Sequence, residues 1–150
     1  MLALLRSLFR EMMPGHNGMD TADNAAIQLA TASLLCEVSR ADNHLDAREE
    51  KAKIHLLTHL LDIDDTAAQA LLNQARHKSE NAVSLFDFTN KLRALEQAER
   101  FELIKAMWQV AYADGHLDPQ EEAVIRQVAD LIYLDHPEFI RAKLTVLQTT

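Results

Sequence analysis

The sequence of 150 residues is poor in the residue types that interrupt helices or cross-link small folds. It contains three Gly, three Pro and one Cys, and 5% of its residues are aromatic. The single cysteine, Cys36, cannot form a disulfide within the chain, and its place on an apolar helical stripe predicts a core residue. Runs of β-branched and aromatic residues are also missing, whereas Ala, Leu, Gln and Glu are abundant. This composition predicts an all-α protein.

Further absences narrow the function. No apolar run approaches the length of a membrane span and the N-terminus lacks a signal-peptide pattern, so we expect a cytoplasmic protein. The formal net charge is −8, which argues against nucleic acids and anionic membranes and favours cations or basic partners. Phosphate-binding glycine loops, Ser-His-Asp arrangements and paired CxxC motifs are all missing, so we expect a protein that is not an enzyme.

A ten-residue acidic motif occurs twice. Residues 41–50 read ADNHLDAREE and residues 113–122 read ADGHLDPQEE, with seven identities at an offset of 72. The correspondence continues beyond the motifs, because residues 60–64 match residues 131–135 after a slip of one position. Repetition at this spacing predicts two related halves within one fold. An approximate two-fold relation between the halves would bring the two acidic loops to the same end of the molecule.

The hydrophobic periodicity divides the chain into helices joined by short connections. We expect residues 19–150 to form one helical bundle of about seven to eight helices, built from two pseudo-symmetric halves. The predicted helices cover about residues 2–12, 21–40, 47–61, 64–78, 84–95, 98–113 and 119–133, with a last one beginning near residue 136.

Helix capping explains much of each motif. Asp118 is suited to the N-cap of a helix, Pro119 to its first turn and Glu121 to the third position of a capping box. Asp46 and Glu49 hold the equivalent positions in the first copy. These residues can therefore be conserved within the repeat for structural reasons alone.

The neighbouring motif residues also have structural interpretations. Gly115, with Asn43 in its place in the first copy, suits the left-handed residue that ends the preceding helix. Glu50 and Glu122 would favour the positive end of the dipole of the following helix.

Asp42 and Asp114 do not fit the capping interpretation. Each follows the C-terminal end of a long helix, where a carboxylate is unfavourable by about 0.3–1 kcal/mol. Either an Asx-type hydrogen bond to the next loop N–H groups or a bound cation would offset this cost, and the residues leave both open. The candidate metal ligands are Asp42, Asp46, Glu49, Asp114, Asp118 and Glu121, with His44 and His116 less favoured.

The ligand types do not select one ion. Carboxylate oxygens would suit Ca²⁺ or Mg²⁺, whereas inward-facing histidines would favour Zn²⁺, Mn²⁺ or iron. The motif is not an EF-hand loop, because Pro119 stands where that loop needs Gly and Ile125 where it needs Glu.

Two other sequence features have simpler interpretations. His55 and His59 lie four residues apart on one predicted helix, but they flank its apolar stripe and are expected to be solvated. Met107 and Trp108 are expected in the core, with the indole N–H near its rim.

The motif from Ala113 to Glu121 resembles the signature of the TerB-like (tellurite-resistance B) domains. The first copy, Ala41 to Glu49, fits with Asn43 in place of Gly, and the resemblance extends over residues 27–134. It implies an all-helical domain linked to tellurite and stress resistance. It also implies a divalent metal held by paired acidic positions, which are matched here by Asp42, Asp46, Asp114 and Asp118.

Two functional hypotheses follow. In the first, the protein is a non-enzymatic TerB-like domain that binds a divalent cation at the repeated loops, in a metal or oxyanion stress response. In the alternative, it is an interaction module whose acidic surface docks a basic protein partner, and the loops bind no metal.

Residues 1–18 form an amphipathic N-terminal segment and a linker. Apolar residues recur through its first part, and residues 14–18 have linker composition. The apolar positions are Leu2, Leu4, Leu5, Leu8, Phe9 and Met12. An isolated helix of this length is marginal in water. We therefore expect it to pack on its own domain or on a second copy, which would give a homodimer. A frayed terminus is the open alternative, and membrane anchoring is less favoured because Arg6 and Arg10 are the only basic residues of the segment.

Overall fold

Residues 21–41, 47–82 and 84–149 are described by a computed structural model. Within these ranges the chain forms seven α-helices and no strand. The helices are α1 (Thr21–Arg40), α2 (Ala47–Leu61), α3 (Asp65–Asn81), α4 (Phe86–Leu92), α5 (Gln97–Ala111), α6 (Pro119–Leu131) and α7 (His136–Thr149). The all-α prediction is confirmed. The helix predicted at residues 2–12 and the boundary at residue 18 lie outside the described residues.

Two long helices, α1 and α5, form the centre of the bundle. From Ala30 to Ser39 every residue of α1 is buried except Glu37, and from Phe101 to Ala111 every residue of α5 is buried except Gln109. A helix that is buried on nearly all sides must be surrounded by other helices. The remaining five described helices therefore pack around this pair.

The packing of the two halves has the pattern expected from the internal repeat. Helix α1 packs on α2 and α3 in the first half, as α5 packs on α6 and α7 in the second. Between the halves, α1 contacts α5 and α6, and α5 in turn contacts α2. An approximate two-fold rotation that exchanges α1 with α5 and α2 with α6 also exchanges the α1–α6 contact with the α5–α2 contact. Helix α4 breaks the pattern, because it lies on α1 and α6 and has no equivalent.

The second helix of each half ends in the same kind of turn. Asp62 follows α2 with φ 58°, and Tyr133 follows the end of α6 with φ 62°. The N–H of the next residue then donates to a carbonyl five positions back, at 3.3 Å in the first half and 2.9 Å in the second. This is the hydrogen bond of a Schellman motif, made here with a non-glycine residue in the left-handed region. The predicted match of residues 60–64 with 131–135 is supported in backbone geometry.

Helix starts agree with the predictions in part. Asp64 caps α3, since its Oδ1 accepts a hydrogen bond of 2.8 Å from the N–H of Ala67. Helix α4, predicted from Ser84 to about Leu95, is shorter and has no side-chain hydrogen bond at its N-cap. Leu95, which the apolar spacing assigned to this helix, lies in the core after the helix has ended.

Met107 and Trp108 are buried, as predicted, but the expected position of the indole N–H at the rim is wrong. The Nε1 atom of Trp108 is buried, and no described residue accepts a hydrogen bond from it. Helix α7 covers the indole: the Phe139 ring lies 5.2 Å from it between centroids, and the Lys143 ammonium lies 5.4 Å from its ring centre. The sequence did not show that α7 would cover this edge.

The left-handed conformation at Tyr133 can be tested with two substitutions that both remove its ring. Glycine adopts positive φ without steric cost, whereas β-branched valine resists it by about 1–2 kcal/mol. We expect the Tyr133→Gly variant to have a free energy of unfolding about 1–2 kcal/mol higher than that of the Tyr133→Val variant. The measurement is urea denaturation followed by circular dichroism. Equal stabilities would contradict a positive φ at this position.

Candidate metal site in the repeated acidic loops

The second acidic loop begins where α5 ends. The N–H of Tyr112 still donates to the carbonyl of Trp108 at 3.0 Å, and the N–H of Gly115 closes a turn with the carbonyl of Tyr112 at 3.0 Å. Gly115 has φ +85°, and a Cβ placed there would meet no atom within 4 Å. The backbone conformation, not crowding, therefore explains the glycine. The left-handed residue predicted here is confirmed.

Asp114 is fixed by the loop backbone. Its Oδ1 accepts a hydrogen bond of 2.9 Å from the N–H of His116, two residues along the chain. This is the Asx-type bond that the sequence offered as one way to offset a carboxylate beyond a helix C-terminus. The side chain of His116 is exposed, so it does not point into a buried site.

Asp118 is the N-cap of α6, as predicted. Its backbone is extended, with φ −80° and ψ 133°, and its Oδ1 accepts a hydrogen bond of 2.7 Å from the N–H of Gln120. Pro119 follows in the first turn. No described residue donates a hydrogen bond to the Oδ2 of Asp114 or of Asp118, and both side chains are partly exposed. Each carboxylate therefore has one oxygen oriented by the backbone and one that accepts no hydrogen bond from the described residues.

The first glutamate of each motif is buried. Glu49 and Glu121 stand in the first turns of α2 and α6, and each has a relative exposure of 1%. Burial of a carboxylate is costly without polar contacts. These two side chains are therefore interior residues of the motifs and not surface residues. Their matching burial is a further property that the two halves share.

The second glutamate of each motif joins two helices. Glu50 Oε1 lies 2.8 Å from Lys53 Nζ, and its Oε2 lies 3.1 Å from a guanidinium nitrogen of Arg76 on α3. Glu122 Oε1 lies 3.1 Å from Lys143 Nζ on α7. Both glutamates were expected to favour the dipole of the following helix, and these interhelical ion pairs were not predicted from the sequence. The basic residue follows its glutamate by 26 residues in the first half and by 21 in the second, so no shared spacing in the sequence predicts these pairs.

The first acidic loop lies outside the described residues, and Asp42, His44 and Asp46 with it. The predicted proximity of the two loops and the predicted six-carboxylate ligand set therefore stay predictions. Among the residues that the structure describes, no group of three or more His, Cys, Asp or Glu side chains is arranged to hold a metal ion.

A family model provides the comparison that decides the class of this domain. The model for tellurite resistance protein TerB matches residues 28–144, which include both acidic motifs and most of the seven described helices. The chain belongs to the TerB family. No match was found among curated proteins or among solved structures. The resemblance inferred from the two motifs is confirmed.

The histidine pair of α2 lies on the surface of the TerB domain. His55 and His59 are exposed, with ring centroids 4.2 Å apart, and His59 Nδ1 lies 2.9 Å from the carbonyl of His55. The prediction of a solvated pair is confirmed. None of the helices within residues 21–41, 47–82 and 84–149 combines the length and the apolar character of a membrane span.

Cys36 is a buried core residue, as predicted. Burial raises the pKa of its thiol, and the positive charges of Lys53 and Arg76 oppose that rise only in part. The nucleophilic thiolate is therefore disfavoured in the folded protein, which argues against a reactive cysteine.

The raised thiol pKa predicts a pH dependence of stability. Above the ordinary thiol pKa of about 8.5 the unfolded chain loses the Cys36 proton while the folded protein retains it. The stabilisation by the buried thiol is therefore complete below this pH and is lost as pH rises. We expect the stability difference between wild type and Cys36→Ala to narrow between about pH 8 and pH 10, in urea titrations. A constant difference would contradict a raised pKa.

The interhelical ion pair of Glu122 and Lys143 predicts a measurable coupling. Their side chains are 29% and 27% exposed, so solvent screens the pair only partly. A double-mutant cycle with Glu122→Gln and Lys143→Met is expected to give a coupling of about 0.5–1 kcal/mol in free energy of unfolding. The matched cycle on Glu50 and Arg76 should give less, because Arg76 is 42% exposed. Zero coupling in both cycles would show that the pairs do not hold the helices.

Proposed function

We propose that this TerB-family protein is a non-enzymatic domain that binds a divalent cation at its repeated acidic loops. The observation that carries the proposal is the geometry of Asp114 and Asp118. Backbone N–H donors orient both carboxylates through Oδ1, and Oδ2 of each receives no hydrogen bond from the described residues. Oriented, partly exposed carboxylate oxygens are the ligands that Ca²⁺ and Mg²⁺ prefer.

Electrostatics supports a cation at this position. Asp114 follows the C-terminal end of α5, where the helix dipole places partial negative charge. The single hydrogen bond from His116 offsets only part of the repulsion, and the chain carries a net charge of −8. A bound divalent ion would neutralise charge at the place where it is concentrated.

The internal repeat extends the proposal to the first loop. Asp42 and Asp46 stand 72 residues before Asp114 and Asp118, and Glu49 and Glu121 are buried at equivalent positions. The exchange of helix contacts between the halves supports an approximate two-fold axis. In the proposed site this axis relates the two loops at one end of the bundle. The exposed ring of His116 favours oxygen ligands over a zinc-type site.

A second candidate function is an interaction module with an acidic docking surface and no metal. It is favoured by the Asx-type bond of Asp114 and the N-cap of Asp118, because both carboxylates already have structural roles. In both versions we place the domain in the cytoplasm. The cation-binding domain would act in a metal or oxyanion stress response. A protein partner, or a homodimer through the N-terminal helix, is compatible with both candidate functions.

Calorimetric titration of Ca²⁺, Mg²⁺, Mn²⁺ and Zn²⁺ into chelator-treated protein tests the proposal. We expect wild type to bind at least one ion, and the Asp42→Asn, Asp114→Asn double variant to lose that binding with its helix content intact. The control is Asp130→Asn, which removes an exposed carboxylate on α6 outside the motifs and should bind as wild type does. Binding should also raise the free energy of unfolding, by about 2.7 kcal/mol when the free ion concentration is a hundred times Kd.

The double variant distinguishes the two functions through stability as well as binding. If the loops are only structural, replacing the two aspartates removes charge from helix C-termini and should be neutral or slightly stabilising. Absence of ion binding by the wild type would overturn the cation proposal and leave the interaction module. Unchanged ion binding by the double variant would exclude Asp42 and Asp114 as ligands.

A further inference from the structure

A groove opens on the surface between the N-terminal half of α1, the end of α3 and α4. Its volume is about 590 Å³, within the range of pockets that bind organic ligands. The apolar part of its lining consists of Ala26, Leu29, Ala30, Ala82 and Phe88. Leu29 and Ala82 are only partly buried. The groove therefore offers apolar surface that an additional element could cover.

The chain itself contains a segment of matching character. In a helix of 3.6 residues per turn, the leucines, phenylalanine and methionines of residues 1–13 all fall on one half of the surface. The charged residues Arg6, Arg10 and Glu11 fall on the other half, together with Ser7. This segment lies outside the described residues, and a helix of this length needs a partner surface to be stable.

The groove is within reach of the segment. Helix α1 begins at Thr21, and Ala26, the first lining residue, lies about 7.5 Å further along its axis. The seven residues 14–20 can span up to about 25 Å when extended. A short tether also gives the segment a high effective concentration at the groove, which favours its own copy over a second one.

We propose that residues 1–13 bind as an amphipathic helix in the groove formed by α1, α3 and α4 of the same chain. The leucine and phenylalanine side chains cover the apolar lining. The groove also presents the exposed Lys78 and Lys91, which can pair with Glu11 at the border of the apolar half of the segment. This inference does not depend on cation binding at the acidic loops.

Limited proteolysis of the full chain with trypsin tests the proposal, because Arg6 and Arg10 are cleavage sites within the segment. A docked helix must open before it can be cut, so the cleavage rate reports the open population. The rate is measured by mass spectrometry as loss of residues 1–6 or 1–10. Leu8→Asp alters the segment, and Ala26→Glu alters the groove at a partly exposed position that leaves the core intact.

Each variant is expected to speed cleavage at Arg6 and Arg10 by about tenfold or more, since a buried carboxylate would replace an apolar contact. Combining the two should add little, because either one alone releases the segment. The control Ser7→Asp adds the same charge to the polar half of the segment and should be cut at Arg10 at the wild-type rate, and the comparison uses Arg10 because Ser7 directly follows the Arg6 cleavage site.

Two results would overturn the proposal. Cleavage that is unaffected by Ala26→Glu would show that the segment does not occupy this groove. A dimeric mass in analytical ultracentrifugation, with protection that disappears on dilution, would place the segment in the groove of a second copy. Monomeric mass together with matched, non-additive effects of the two variants would support docking within one chain.

Discussion

The enclosure of α1 and α5 is the constraint on which the rest of the structure depends. Because both helices are buried on nearly every side, we expect most polar groups in their middle to be paired inside the bundle, and the Nε1 atom of Trp108 is an exception among the described residues. In α1 the hydroxyls of Thr31 and Ser33 donate to carbonyls four residues back, at 2.9 and 2.7 Å. In α5 Lys105 lies 3.3 Å from Glu102, three residues earlier on the same helix. Local pairing of this kind lets polar side chains occupy the centre of the bundle.

The same enclosure explains why charge concentrates at the ends of the two central helices. The chain leaving α5 must turn sharply, and the second acidic motif provides both that turn and the start of α6. In the second copy, Gly115 reverses the backbone, Asp114 accepts a loop N–H, and Asp118 caps α6. Structure and proposed ion binding therefore use the same carboxylates through different oxygens, so the two roles do not exclude each other.

Much of this architecture could be predicted because its signals are local. The repeat, the cap at Asp64 and the left-handed Gly115 each depend on a few neighbouring residues, and the TerB resemblance rests on the two short motifs. The features that were missed depend on contacts distant in sequence. Examples are the pairing of Glu122 with Lys143 and the burial of the Trp108 indole by α7. No pattern in one sequence specifies which turn of a later helix will face a given side chain.

The interhelical ion pairs differ between the two halves in the position of the basic residue. The turns after α2 and α6 correspond at an offset of 71, so the counterpart of Arg76 is Leu147, and the counterpart of Lys143 is Leu72. The cation has thus moved by four residues, about one helical turn or 6 Å, while its glutamate kept its place in the motif. After a duplication, a leucine and a basic residue can exchange turns along a helix provided that a positive charge still reaches the same carboxylate. In each half a basic residue of the third helix reaches the second glutamate of the motif, although the two basic residues stand on different turns of their helices.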